Sequence, residues 1–412
     1  EGMTLMLMRP EMRRSSYLYF VIGLMQAAYL PFSGIVFRDR GLSFEVIGLI
    51  GAVNSMIALA AGPIWGHLGD AVLGRTSAFR LALVSAAVGV ILFAVGPYEG
   101  IPGAALASFA GAGLVPLLDS IGMEQLAKVG GQWGSLRAIT SFSYAAMCIL
   151  SGALVASGGA IMIAPLYGIT ALILIAGTIG LHTAPAIHHG ARPVLSEAEA
   201  EIERSEIAGP NAEIAVTGDW RDRFGTVTLA FQQSPRLFAF LMLSLLVNLG
   251  AGLFYAYGSF RIQEVGGSAA AVAFGGTVSA AVEIPFFLAG GLVAARLGLR
   301  SLFSFGLIAM GICSVGYAFI DSPYWLALAR SLVGIGFACT LLASVLSVRA
   351  IVPAALQATG QALYQSVSYG LAVAIAALVG GIIYGELGAA PLFLLSGAIM
   401  FGAIPFAWRV LR

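Results

Sequence analysis

The second half of this 412-residue chain repeats the first at an offset of about 224 residues, and a repeat of that length restricts the fold to architectures built from two similar halves. Three landmarks carry it. Gly66, Leu68 and Gly74 recur as Gly290, Leu292 and Gly298; Ala110-Gly111 with Gly113 recurs near Val333-Gly334 with Gly336; Ser141-Phe142-Ser143-Tyr144 returns as Ser366-Val367-Ser368-Tyr369.

The repeated unit is too apolar for water. Hydrophobic residues make up 59% of the chain and charged ones 10%, which would leave large greasy patches on a soluble domain. A helix crossing a bilayer needs roughly 20 apolar residues. Twelve such stretches begin near Tyr17, Ser43, Ala78, Pro102, Gly134, Ala160, Arg236, Ser268, Leu302, Pro323, Ala355 and Ala389. The expected fold is an all-α membrane protein of twelve transmembrane helices in two pseudo-symmetric six-helix bundles, residues 1–182 and 236–412, joined by a linker at 183–235. Duplicated bundles of this kind build many secondary transporters, because two halves rocking about a central site expose it to each side in turn.

A net charge of +1 gives no electrostatic footprint for nucleic acid, but the cations are unevenly placed. With the N-terminus inside, Arg9, Arg13, Arg14, Arg75, Arg80, Lys128, Arg192, Arg204, Arg221, Arg223, Arg296, Arg300, Arg349, Arg409 and Arg412 face the cytoplasm, and only Arg38, Arg40 and Arg261 fall outside. The positive-inside rule therefore expects both termini in the cytoplasm and the chain in the inner, plasma membrane. Glu1 to Arg14 has no signal-peptide pattern, so the first helix reads as a retained span. Cys148, Cys313 and Cys339 fall within spans and read as packing residues.

The linker concentrates charge and Pro. Ser196-Glu197-Ala198-Glu199-Ala200-Glu201-Ile202-Glu203 opens with a capping residue and an acidic turn, so a short solvated helix is expected. His188 and His189 have no Cys or carboxylate at ligand spacing, so neither a metal nor another cofactor is implied. Lys128 is the sole lysine and no Gly-x-x-x-x-Gly-Lys loop exists, which excludes ATP-driven work by this chain and, with no catalytic constellation, argues against an enzyme.

Between the second and third spans stands Gly66-His67-Leu68-Gly69-Asp70-Ala71-Val72-Leu73-Gly74-Arg75. Glycines permit a tight turn, Asp70 can accept hydrogen bonds at a helix end, and Arg75 anchors the polar face. The spacing resembles the Gly-x-Leu-x-Asp-x-x-x-Gly-Arg loop of the major facilitator superfamily. Ala28-Tyr29-Leu30-Pro31-Phe32 with Ile35 and Asp39, Trp133-Gly134-Ser135-Leu136-Arg137, and Tyr384-Gly385-Glu386-Leu387-Gly388 further resemble the lactose permease group of oligosaccharide and nucleoside symporters. Ser135 departs from that pattern by replacing an Arg.

Ionisable residues inside a membrane are unfavourable unless they serve a function. Asp119 and Arg137 lie equally far from Lys128, the turn between two antiparallel helices, and so can pair at similar depth. The resemblance assigns them to substrate binding, with Tyr144 as a stacking platform, and Asp119 is also a proton-coupling candidate; a fixed interhelical pair is the alternative. Glu283 has no charge within a turn of it, and a low dielectric disfavours its ionised form, which suits a residue that loads and releases a proton. The related symporters use an Arg on the ninth helix and a His on the tenth, where Tyr317 and Val333 stand here, so Arg330 is the candidate positive partner for Glu283. Gln357, Gln361, Gln365 and Ser368 recur on one face of the eleventh helix, and Asn248, Gly252, Tyr255 and Ser259 on one face of the seventh. Both faces read as lining a cavity for a hydroxylated or amide-bearing ligand, with Asn248, Gln361 and Gln365 as substrate-binding candidates and interhelical hydrogen bonding as the competing account. Gln26 and Asn54 add polarity in the first half, and Gln26 is a further substrate-binding candidate.

The expected function is proton-coupled symport of a small polar solute, of the sugar or nucleoside class, by a monomer in the lipid bilayer. The alternatives are proton-driven efflux of an amphipathic compound and a non-transporting membrane scaffold.

Overall fold

In the computed structural model, residues 10–96, 100–129, 133–181, 220–353 and 356–411 are described. The run 196–203 and the pair His188 and His189 lie outside them. The described residues contain twelve spans: α1 (Met12–Asp39), α2 (Phe44–Val72), α3 (Arg75–Val95), α4 (Gly100–Met123), α5 (Gly134–Gly158), α6 (Ala160–Gly177), α7 (Pro235–Glu264), α8 (Ala269–Ala289), α9 (Arg296–Phe319), α10 (Pro323–Ile351), α11 (Thr359–Leu387) and α12 (Ala389–Val410). Among these residues there is no strand, as expected for spans whose backbone groups must be satisfied within lipid. A separate helix, Trp220–Gln233, precedes α7.

The duplication is written into the backbone. Gly41 (φ 86°) and Gly266 (φ 87°) turn the chain after α1 and α7; Gly74 (φ 77°) does so before α3 and Gly298 (φ 73°) within the first turn of α9; Gly159 (φ 73°) and Gly388 (φ 83°) do so before α6 and α12. Each occupies the left-handed region that only glycine enters freely. The repeat therefore persists in the turns that re-aim the chain, even where side chains have diverged.

Two helices depart from regularity where the sequence requires it. Pro31 denies α1 a donor, so the helix opens at Leu30–Phe32 and restarts at Ser33. In α11 a π-turn spans Ser366–Leu371, with Leu59 of α2 packed against Gly370. Both irregularities border the space between the halves, and π-turns are commonly found at functional sites.

The two ends of the bundle are closed differently. At the end remote from the termini, Phe44 packs on Tyr384 (4.6 Å) and Phe260 (5.3 Å), and Tyr257 stacks on Tyr384 (5.5 Å). Tyr257 donates to the Ala377 carbonyl at 2.6 Å, and Arg38 lies 4.2 Å over the Phe44 ring. Backbones approach closely here because Gly48 and Gly381 carry no side chain: a methyl on Gly48 would lie 2.5 Å from the Ala377 carbonyl, and one on Gly381 would lie 2.6 Å from that of Phe44. Arg261 clamps the same end through the Tyr317 and Ile320 carbonyls and Asp321 (2.7 Å). At the end bearing the termini, α5 packs on α8 with Gly134 against the Phe287 carbonyl. There Arg80 holds the Thr178 hydroxyl and carbonyl, and Arg14 the Gly177 and Ile179 carbonyls, which ties α1, α3 and α6 together.

Candidate functional site

Between the halves lies a cavity of ≈ 500 Å³, a volume suited to a small-molecule ligand. The four residues of the α7 face, Asn248, Gly252, Tyr255 and Ser259, all line it, joined by Asn54 and Ser55 of α2, Tyr29 of α1, Thr340 and Ser344 of α10, and Tyr364 and Tyr369 of α11. Its polar groups are hydroxyls and amides on an aromatic and aliphatic wall, so it offers hydrogen bonds without a fixed charge.

The α11 glutamines do not share this wall. Gln361 is buried and donates to the Val345 carbonyl of α10 at 3.2 Å, Gln365 is exposed, Ser368 is fully buried, and none of the three lines the cavity. Within the regular helical stretch Gln357–Gln365, Gln361 is aimed at α10 and Tyr364 at the cavity, and the π-turn that starts at Ser366 adds the backbone that brings Tyr369, five residues on, to the same wall. Gln26 is half-buried on α1 and is likewise absent from the lining.

Asp119 and Arg137 do meet, Nη2 to Oδ2 at 3.1 Å. Their third member was not foreseen. Tyr19 of α1, itself buried, donates to the other oxygen, Oδ1, so Asp119 ties α1, α4 and α5 into a knot and is only 1% exposed. Gly122 makes room for the Tyr19 ring, and Thr140 of α5 donates to the Tyr19 carbonyl at 3.1 Å. Neither Asp119 nor Arg137 lines the cavity, although the Arg137 side chain is 30% exposed. Asp119→Leu is expected to destabilise the fold by about 3–5 kcal/mol, since it strips a buried charge partner. Tyr19→Phe should cost about 1 kcal/mol, the net worth of one hydrogen bond. Thermal unfolding in detergent measures both; equal, small shifts would contradict the knot.

Glu283 sits in the seam between α5 and α8. Ser141 of α5 donates to its Oε2 at 3.5 Å, and Thr277 donates to the Ala145 carbonyl at 3.0 Å one and a half turns away. Tyr144 of α5 rests against Gly276 of α8. Both Tyr144 and Tyr255 are within electrostatic reach of Glu283 and of Arg330. The anticipated pairing of Arg330 with Glu283 does not form: among the described residues no ion pair joins them. The Arg330 stem lies against Gly275, and Glu283 is eight residues further along α8, about 12 Å of helix.

Tyr144 and Tyr369 are the repeat-related tyrosines, and each looks across to the other half. Tyr144 feels Glu283 and Arg330, while Tyr369 feels Arg137 and Tyr255 and also lines the cavity. The charged groups of the two halves are thus linked to one cavity through tyrosine hydroxyls.

The loop motif is assembled: Arg75 Nε donates to Asp70 Oδ1 at 3.0 Å, a π-turn at Leu68–Val72 carries Asp70, and Gly74 supplies the reversal, while a methyl on Gly66 would meet open space. In the second copy Ala294 and Leu299 stand at the matching positions, so this latch exists on one half alone.

Comparison with known proteins agrees with this architecture. Residues 12–395 match the model of the MFS_1 like family. The chain belongs to that family. It is a transporter of the major facilitator superfamily, an integral membrane protein that handles small molecules, and not an enzyme. A maltose permease of Geobacillus stearothermophilus is 25% identical over 368 residues, 88% of this chain and 85% of that protein. Among solved structures, a point mutant of the nucleoside transporter NupG superposes with a TM-score of 0.77 at 16% identity, covering 97% of this chain and 99% of its own. A point mutant of a POT peptide transporter superposes at 0.68 with 17% identity, covering 97% and 96%. At such identities the superpositions speak for the fold.

Proposed function

We propose that this transporter is a proton-coupled symporter that takes up a small polar solute of the sugar or nucleoside class. The supporting observation is the uncharged cavity of amide, hydroxyl and tyrosine groups, flanked across Tyr255 by a lone carboxylate, Glu283. In this reading the cavity binds the solute, Glu283 carries the proton, and residues 1–182 and 236–412 rock about the site with 183–235 as their tether. Asp119 and Arg137 hold the first half rigid and contact solute only from the exposed side of Arg137, while Tyr144 mediates between proton and solute. The relatedness to a maltose permease and the likeness to a nucleoside transporter favour a hydroxylated solute. The arginines at the end bearing the termini support a reading in which that end faces the cytoplasm of a plasma membrane. In this reading the aromatic closure at the opposite end corresponds to an outward-closed state, and the protein works as a monomer.

Purified protein in proteoliposomes carrying a pH-sensitive dye tests the reading. Addition of the correct sugar or nucleoside should drive proton entry from the outer solution. Proton exit on the same addition would favour the efflux alternative, and solute movement with no proton signal would remove the coupling.

A further inference from the structure

Arg330 is placed where a binding group is expected and a structural one is not. Its Nε and Nη1 are buried and, among the described residues, neither has a hydrogen-bond partner nor is any carboxylate within 4.0 Å of the guanidinium. A buried cation with no counter-charge is unfavourable, and a fold normally removes such a group or pairs it. What surrounds Arg330 instead is a set of neutral hydroxyls: Tyr144 and Tyr255 lie within electrostatic reach, and Tyr317, whose own proton goes to the Leu326 carbonyl at 2.9 Å, is hydrogen-bonded to Arg330 through its oxygen. The Phe254 ring centroid is 5.7 Å from Cζ of Arg330. Gly275 of α8 leaves the opening for its stem, since a methyl there would lie 2.6 Å from Cδ.

The position connects to the cavity. Arg330 shares one face of α10 with Phe337, Leu341 and Ser344, at intervals of seven, eleven and fourteen residues, and those three line the cavity, as does Tyr255 beside it. Arg330 does not itself line the cavity; its guanidinium lies beyond that wall toward the closed end, about 10 Å of helix in from Pro323, with Tyr255 beside both. A planar fork with hydroxyls around it matches a carboxylate, which accepts two parallel N–H bonds and further O–H bonds.

We infer that Arg330 binds the carboxylate of the transported solute, so that the solute is an organic acid with a hydroxylated or aromatic body, such as a sugar acid. This rests on the symport reading and narrows it. It also fixes the charge balance: one carboxylate on Arg330 and one proton on Glu283 cross with no net charge, so uptake follows the pH gradient and not the membrane potential.

Matched pairs test the inference on the full-length protein: glucuronate against glucose, gluconate against sorbitol, and benzoate against benzyl alcohol, with chloride as the inorganic anion. In thermal unfolding, at least one carboxylate should raise the midpoint by roughly 5 °C at saturation while its neutral partner does not. Arg330→Gln should abolish that shift, and Arg330→Lys, which keeps the charge but loses the fork, should weaken the affinity at least ~10-fold. The Lys variant decides the matter if the Gln variant does not fold. Neutral partners binding as well as acids, no acid binding, chloride reproducing the effect, or binding that survives both substitutions would each overturn it. Carboxylate binding that needs Arg330 without transport would defeat the symport reading alone. Proton uptake with a neutral solute, seen as inward current on a supported membrane, would defeat the carboxylate inference alone.

Discussion

Glu283→Gln is expected to abolish uphill accumulation of solute while leaving its equilibration down a gradient intact. Each unit of inward pH gradient supplies about 1.36 kcal/mol per proton, so two units can support a ~100-fold accumulation, and the variant should settle near equal concentrations on both sides. Gln keeps the hydrogen bond that the Ser141 hydroxyl donates, and it keeps the volume, so packing of α5 on α8 should survive. Counterflow, the exchange of labelled for unlabelled solute without a proton gradient, separates a lost proton site from a lost protein. If Glu283→Gln still accumulates solute, another carboxylate carries the proton; if counterflow also disappears, Glu283 is part of solute binding. The seam makes the first result the expected one, because Glu283 lies off the cavity lining yet is linked to it through Tyr144 and Tyr255.

The fold was legible in the sequence because lipid demands it. Length and apolarity fix a spanning helix with little help from tertiary context, and twelve were expected within a few residues of their observed positions. The repeat was legible at Gly74 and Gly298, where a turn tolerates one residue type; the pairs Gly41 with Gly266 and Gly159 with Gly388 carry the same information but sit among unrelated neighbours. Side-chain direction was harder to read. On α7 a regular helix carried Asn248, Gly252, Tyr255 and Ser259 to the cavity together, whereas on α11 the cavity-facing side is that of Tyr364 and not of Gln361 and Gln365, and a π-turn, which has no sequence signal of its own, adds Tyr369 to it.

Charge was legible as residue type and not as partnership. Asp119 and Arg137 were paired by depth, but Tyr19 is 100 positions away and its hydroxyl announces nothing in an apolar stretch. The same limit misplaced Arg330 beside Glu283: lone opposite charges on neighbouring helices invite pairing, and only the position of the Arg330 stem against Gly275 shows that the two sit at different depths. The repeat sharpens the point. Leu243, Ala343 and Ala362 stand near the positions that match Tyr19, Asp119 and Arg137, and Leu59 and Ala107 near those that match Glu283 and Arg330. One half therefore keeps a rigid ionic knot and the other keeps the unpaired groups, a division of labour that an equal pair of halves would not show.

Gly48→Leu is expected to hold the closed end open. The side chain would enter the space between α2 and α11 where a single methyl already lies 2.5 Å from the Ala377 carbonyl and 2.9 Å from the Tyr257 hydroxyl. Overpacking of this kind costs about 1–3 kcal/mol in a rigid core. Here the strain is relieved by separating the halves, and states of an alternating bundle differ by only a few kcal/mol, so ~2–3 kcal/mol shifts their ratio by roughly 30- to 150-fold. A cysteine introduced at Ser33, which lines the cavity near this end, reports the opening through its rate of alkylation; the native Cys148, Cys313 and Cys339 are buried. Alkylation should rise at least ~10-fold and transport should fall, since the closed state is no longer reached. Gly381→Leu, opposed by the Phe44 carbonyl at 2.6 Å, should act alike, whereas Gly62→Leu on the same α2 helix meets nothing within 4 Å and should change neither. If all three variants label at the parental rate, the aromatic closure of Phe44, Tyr257, Phe260 and Tyr384 is a permanent plug, and access must be governed at the other end alone.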